Sequence, residues 1–84
     1  MKKVAGVDVS KDWLDCAVDA DGKCVRFANS TKGALKCEKF FRKVGIDFVV
    51  VEATGGYERP LCKVLWAQGL ALTIANPRQV RAFA

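Results

Sequence analysis

Three observations in the sequence predict an α/β fold with a mixed five-stranded sheet of order 3-2-1-4-5. The first is a change of period: three short strand-like segments precede a strict alternation of helical and strand-like ones. The second is that the links among the first three segments are too short for a crossover, so those strands pair antiparallel. The third is size: 84 residues hold one small domain, and such a chain buries only about 60–65% of the surface exposed by its unfolded form.

The elements follow in order. Lys3 to Val9 is valine-rich and suits a buried strand. Trp13 to Ala20 alternates, with Leu14, Cys16 and Val18 on one side and Asp15 and Asp19 on the other. Asp21-Gly22 marks a tight turn, because glycine accepts positive φ without a Cβ clash. Lys23 to Ala28 returns as a third strand with Val25 and Phe27 on one face. Asn29-Ser30-Thr31 is a loop and helix cap. From about Gly33 to Val44 the spacing is helical, with Ala34, Cys37, Phe41 and Val44 on one face. Gly45 ends this helix, and Ile46 to Ala53 forms a fourth strand. Thr54-Gly55-Gly56 leads into a second helix that carries Pro60 in its first turn and closes at Gly69. Leu70 to Ala75 is a fifth strand, and Asn76-Pro77 opens a third helix. Helical crossovers make strands four and five parallel to strand one. That arrangement is ribonuclease-H-like.

Composition narrows the chemistry. Hydrophobic residues at 51% and charged residues at 27% belong to a folded globular chain. No apolar run nears the roughly 20 residues that cross a bilayer, and the segment Met1 to Asp8 lacks a signal-peptide pattern. A cytoplasmic protein without a membrane partner is expected. With no histidine in the chain, Cys/His zinc fingers, Ser-His and Cys-His pairs and imidazole acid–base catalysis are excluded. The four cysteines contain no CxxC, and Cys16, Cys37 and Cys62 fall in apolar stretches, as reduced core thiols do. Carboxylates, metals or a bare hydroxyl remain. The net charge is +5, distributed as −2 over Met1 to Asp21 and +7 beyond. Such a basic part suits either a polyanionic partner or a solvated face.

Two acids stand out. Asp8 lies near the carboxyl end of strand one, and Glu52 closes strand four. The predicted order makes these strands parallel neighbours, so both acids reach the end of the sheet where open α/β folds hold ligands. Two carboxylates without a buried cation suit Mg²⁺ or Mn²⁺, which as a pair would stabilise both oxygens of a phosphodiester displacement. The structural alternative is that Asp8 caps the next turn while Glu52 pairs with Lys11 or Arg59.

Gly6-Val7-Asp8-Val9-Ser10-Lys11-Asp12, Val51-Glu52-Ala53-Thr54-Gly55-Gly56-Tyr57 and Asn76-Pro77-Arg78-Gln79-Val80-Arg81-Ala82-Phe83-Ala84 together resemble the DEDD transposases of bacterial insertion sequences. This group includes the Piv/MooV-type DNA invertases. The resemblance implies the amino-terminal part, residues 1–84, of a RuvC-like domain that cleaves and transfers DNA strands with divalent metal. Asp8 and Glu52 would be its first two acids. The family's other two acids would lie on a helix beyond Ala84, so the metal set here is incomplete, the fold stops before the catalytic helix, and the chain alone is expected to be inactive. A serine nucleophile belongs to a further C-terminal domain. The partners so implied are DNA, a guide RNA, and a second copy of the chain or the remaining C-terminal part.

Lesser features complete the reading. Thr54, Gly55 and Gly56 would offer backbone N–H groups to a phosphate, or simply form a strand-to-helix turn. Lys36, Lys39 and Lys43, in a stripe with Lys32 and beside Arg42, would contact nucleic-acid backbone or form a solvated face. Lys11, and Arg78 with Arg81 on the last helix, would grip phosphates near the acids. Trp13, Trp66, Phe40, Phe41 and Phe83 read as core or patch residues instead of stacking platforms. Both helices fall on one side of the sheet, so Val4, Phe48 and Val50 are expected on an uncovered face that also bears Asp8 and Glu52. The alternatives are a non-catalytic nucleic-acid-binding or dimerisation remnant, and an ATP-binding half-domain of the sugar-kinase and actin type. The latter needs a Gly- and Thr-rich hairpin after strand one, which Ser10-Lys11-Asp12-Trp13 does not provide.

Overall fold

A computed structural model describes residues 3–18, 23–53 and 55–75. The predicted Asp21-Gly22 turn, Thr54 and the helix opened by Asn76-Pro77, with Arg78, Arg81 and Phe83, lie outside the described residues. Five strands and two helices run in the order β1 (Val4–Val9), β2 (Trp13–Val18), β3 (Lys23–Ala28), α1 (Thr31–Val44), β4 (Phe48–Ala53), α2 (Arg59–Ala67) and β5 (Ala71–Ala75). The sheet order is β3-β2-β1-β4-β5. β2 is antiparallel to both β1 and β3, whereas β4 is parallel to both β1 and β5. This is the ribonuclease-H-like arrangement expected from the sequence.

Strand alternation sorts the sheet into two unlike faces. Ala5, Val7 and Val9 of β1, Leu14, Cys16 and Val18 of β2, and Val49 and Val51 of β4 are all buried on one face. Against them pack Ala34, Cys37 and Phe41 of α1 and Leu61, Val64 and Leu65 of α2. Their spacing of three and four residues places each set on one helix stripe. Phe27 and Phe40 extend this core, with Phe40 also 5.9 Å from Phe41 between ring centroids. Cys16 and Cys37 are buried with their sulfurs 3.2 Å apart, and all four cysteines are free. The hydrogen bond with Cys16, reinforced by burial, raises the Cys37 thiol far above its usual range, so it stays protonated.

Local caps explain where α1 starts and stops. Ser30 accepts a hydrogen bond from the Gly33 N–H at 3.0 Å, which satisfies one of the free donors of the first turn. Removing it in Ser30→Ala is expected to cost about 1 kcal/mol and to lower the melting temperature by about 4–8 °C; circular dichroism on heating would register the change. At the other end Gly45 takes φ 84°, and the N–H groups of Gly45 and Ile46 donate to Arg42 and Phe41. This cap claims Ile46, so β4 begins at Phe48 and not at Ile46. Asp47 instead ties β4 to β1: its carboxylate accepts from the Lys3 N–H, and its own N–H donates to the Lys3 carbonyl, both at 2.8 Å. α2 begins at Arg59 with Pro60 in its first turn, as expected, because Gly55 and Gly56 both adopt positive φ and form a turn ahead of it.

Both helices lie on one face, and no described residue covers the other. That open face carries Val4, at 36% exposure, with Phe48 and Val50 half-buried. The apolar patch expected on it is therefore present among the described residues.

Candidate functional site

The open face owes its chemistry to register. In β1 and β4, Asp8 is the direct partner of Glu52, so their side chains stand side by side on the same face. Neighbouring strands lie about 4.8 Å apart, which brings both carboxyl groups within reach of one small ion. Asp8 is also the direct partner of Asp15 in β2, and Asp15 of Arg26 in β3. One row across the sheet thus reads Arg26, Asp15, Asp8, Glu52.

The row divides into two halves. The Arg26 guanidinium donates to Asp15 at 2.8 and 3.4 Å, a two-pronged ion pair that occupies the Asp15 carboxylate. The same pairing raises the Arg26 pKa above its usual value, through the hydrogen bond first and charge attraction second. Asp8 and Glu52 are both exposed, and among the described residues neither makes an ion pair or a side-chain hydrogen bond. Pairing of Glu52 with Lys11 or Arg59, and capping by Asp8, are not realised. Like charges facing each other across strands are destabilising, and no described cation offsets this pair, whereas a divalent cation would.

Small residues keep the space before the pair open. Gly6 faces Ala17 on one side and Val50 on the other, and a Cβ built on Gly6 would meet nothing within 4 Å. The result is a shallow concavity of about 340 Å³ bordered by Asp8, Asp15, Cys24, Val50 and Glu52. Asn29 braces the rim beside it. Its amide donates to the carbonyls of Ser10 at 2.7 Å and Tyr57 at 3.0 Å, linking the connections that follow β1 and β4. The turn after β1 is tight: the Ser10 N–H donates to the Trp13 carbonyl, with Lys11 and Asp12 exposed at its tip.

The donor set fits a hard divalent ion in part. Two carboxylates from adjacent strands suit Mg²⁺ or Mn²⁺, which accept oxygen ligands and retain several waters. No cluster of three or more metal-ligating side chains occurs among the described residues. Asp15, bound to Arg26, does not supply the third.

Other expected site residues lie elsewhere. Lys36, Lys39 and Lys43 are exposed on α1, in the layer behind the sheet, and do not converge on the acids. Arg42 is not a free cation of that stripe: its guanidinium is held by Glu38 at 2.7 Å and Gln68 at 2.9 Å. Glu38, one turn earlier on α1, is 95% buried with its charge balanced by Arg42. Gly55 and Gly56 sit in the turn before α2, the expected strand-to-helix turn. Lys11 alone, of the described basic candidates, lies on the connection that directly follows the acid-bearing end of β1. Sequence reasoning missed the partnership of Asp15, Arg26 and Trp13. Alternation alone gave Asp15 its face, but counting back from a two-residue Asp21-Gly22 turn would have paired it with Ala28, whereas the observed register pairs it with Arg26.

Fold and acid placement define the class as a ribonuclease-H-like α/β domain with carboxylates at the strand ends. A transposase family, the DEDD transposases of IS110 type, matches residues 5–84, and the chain belongs to that family. No curated protein matches the chain. Among solved structures it is similar to the type II variant of the Aquifex aeolicus Ppx/GppA phosphatase, with a TM-score of 0.52 and 14% identity over 92% of this chain. A second structure of the Aquifex aeolicus Ppx/GppA family member gives a TM-score of 0.47 and 16% identity over 93% of this chain. The chain spans 36% of the length of each. At that identity the first similarity concerns the fold alone. No helix among the described residues is long and apolar enough to cross a membrane.

Proposed function

We propose that the chain is the amino-terminal, acid-bearing part of a RuvC-like nuclease domain in a DNA transposase of an insertion sequence. The observation that carries this reading is the register of Asp8 opposite Glu52 on neighbouring parallel strands, both exposed and, among the described residues, paired with no cation. Bound there, Mg²⁺ or Mn²⁺ would supply charge stabilisation at the oxygens of a phosphodiester. The residues' own part is more limited. Asp8 and Glu52 hold one side of the ion, Asn29 fixes the connections after their two strands, and Gly6 leaves room for a phosphate to approach. With only half of a four-acid set, the 84-residue chain binds metal weakly and does not cleave DNA. It acts in the cytoplasm as part of a longer protein or a homo-oligomer that covers the open sheet face, with DNA and a guide RNA as partners. Arg78, Arg81 and Thr54 contribute phosphate contacts in the same reading.

Titration of the purified chain with Mn²⁺, followed by the ion's paramagnetic resonance, tests it. Asp8→Asn and Glu52→Gln are each expected to weaken binding about tenfold or more, the scale on which supporting changes at metal sites act. Equal Mn²⁺ affinity in both variants and the parent chain would refute the metal site. Mg²⁺-dependent DNA cleavage by this chain, lost in Asp8→Asn, would refute its inactivity.

The exposed lysines of α1 favour a second reading, a nucleic-acid-binding or dimerisation module without chemistry. It predicts affinity for duplex DNA that falls steeply with salt, with a slope near −0.9 per phosphate contacted, and that Lys36→Glu with Lys39→Glu weakens while Asp8→Asn does not.

A further inference from the structure

Trp13 opens β2 on the acid-bearing face, and it keeps 44% of its surface exposed. An exposed indole at that position needs a reason, since burying an aromatic side chain is among the larger apolar gains open to a small domain. Its neighbour supplies one. The Arg26 guanidinium lies over the indole, 5.1 Å from the ring centroid, and Asp15 holds that guanidinium from below by two hydrogen bonds. The indole is thus oriented by a cation that is itself pinned.

Position and charge narrow what such a platform would take. Trp13 stands two residues along β2 from Asp15, which is the direct partner of Asp8. A rise of about 3.3 Å per residue and a strand spacing of about 4.8 Å put the Trp13 backbone about 8 Å from that of Asp8. The Asp15–Arg26 pair is internally neutral, so this edge does not share the repulsion that Asp8 and Glu52 offer to phosphates. Flat aromatic groups stack on indole and on guanidinium alike, and every nucleobase has such a face.

We propose that Trp13, oriented by Arg26, is a stacking site for an unpaired nucleobase, seating a single strand so that a neighbouring phosphate lies before Asp8 and Glu52. This inference rests on the nucleic-acid reading above and extends it from the acids to the base that positions the strand. Asp15 and Arg26 act as positioning residues: they make no contact with the base's edge and carry no sequence preference. The site therefore discriminates single strands from duplexes, whose bases are already stacked, and not one base from another.

Indole fluorescence of the purified chain in a Trp66→Phe background reads Trp13 alone. A single-stranded oligonucleotide of about ten nucleotides is added in EDTA, since OB-type and similar sites engage about 4–16 nucleotides. Saturable quenching is expected, and Trp13→Ala is expected to weaken binding about five- to hundredfold, as removal of one stacking aromatic does. Trp13→Phe should keep most of the affinity, and binding of the matching duplex should be unchanged in both variants. Single-strand binding of equal strength in Trp13→Ala, with no quenching in the parent, would overturn the inference while leaving the nucleic-acid reading in place. Absence of binding to either single strand or duplex would overturn both.

Discussion

Replacing Gly33 by alanine is expected to destabilise the domain by about 3 kcal/mol or more, the upper part of the range for forced overpacking. Exchange of glycine for alanine within a helix ordinarily stabilises by up to about 1 kcal/mol, because alanine loses less backbone freedom. Here the sign reverses. A Cβ on Gly33 would fall 1.8 Å from the Ala28 carbonyl oxygen and 2.7 Å from its carbon. Both are backbone atoms of β3, not the end of a flexible side chain, so relief requires moving the β3–α1 connection. That connection also carries Asn29 and the Ser30 cap, so the shift would loosen the rim beside Asp8 as well. For a domain of this size the melting temperature should fall by on the order of 15 °C. Gly6→Ala is the matched control, with open space around the added methyl and little expected loss. A Gly33→Ala chain that melts at or above the parent temperature would show that α1 does not approach β3 as closely as described.

Phe41→Ala has the largest effect expected of any core truncation. Phe41 is fully buried, the largest such side chain among the described residues, and sits where α1 meets the sheet. Losing its ring costs about 3–5 kcal/mol through lost burial and an unfilled cavity. Small domains hold only about 0.05–0.15 kcal/mol of stability per residue, so most of the margin would go. Urea titration should show the midpoint collapse, with much of the chain unfolded at 37 °C. Phe48→Ala provides the contrast. Phe48 lies half-buried on the open face, and its loss should cost far less. Comparable losses in the two variants would mean that both faces of the sheet are packed, against the two-sided description given above.

Much of this architecture was legible before any coordinates. The alternation of Leu14, Cys16 and Val18, the stripe of Ala34, Cys37 and Phe41, and the terminating Gly45 each reflect a local period or a local dihedral need. The element order then left few topologies, and the crossover rule put both helices on one side. The neighbourhood of Asp8 and Glu52 followed from that order. The less legible parts were those in which two local signals compete. Ile46 has strand propensity, yet its N–H is taken by the α1 cap. Arg42 has the spacing of the lysine stripe, yet Glu38 and Gln68 hold it. Trp13 read as a core or patch residue by type, and only the sheet puts it on the uncovered side.

Taken alone, the chain's residues determine which side chains turn inward and which strand ends carry acids, because periods of 2 and 3.6 are properties of a few consecutive residues. They also settle that these 84 residues supply no imidazole. Only the folded sheet decided that Asp8 meets Glu52 directly, that Asp15 is spent on Arg26, and that an indole stands open beside them. Those outcomes depend on hydrogen-bond register between strands distant in the chain, where a slip of one residue would send every one of these side chains to the opposite face.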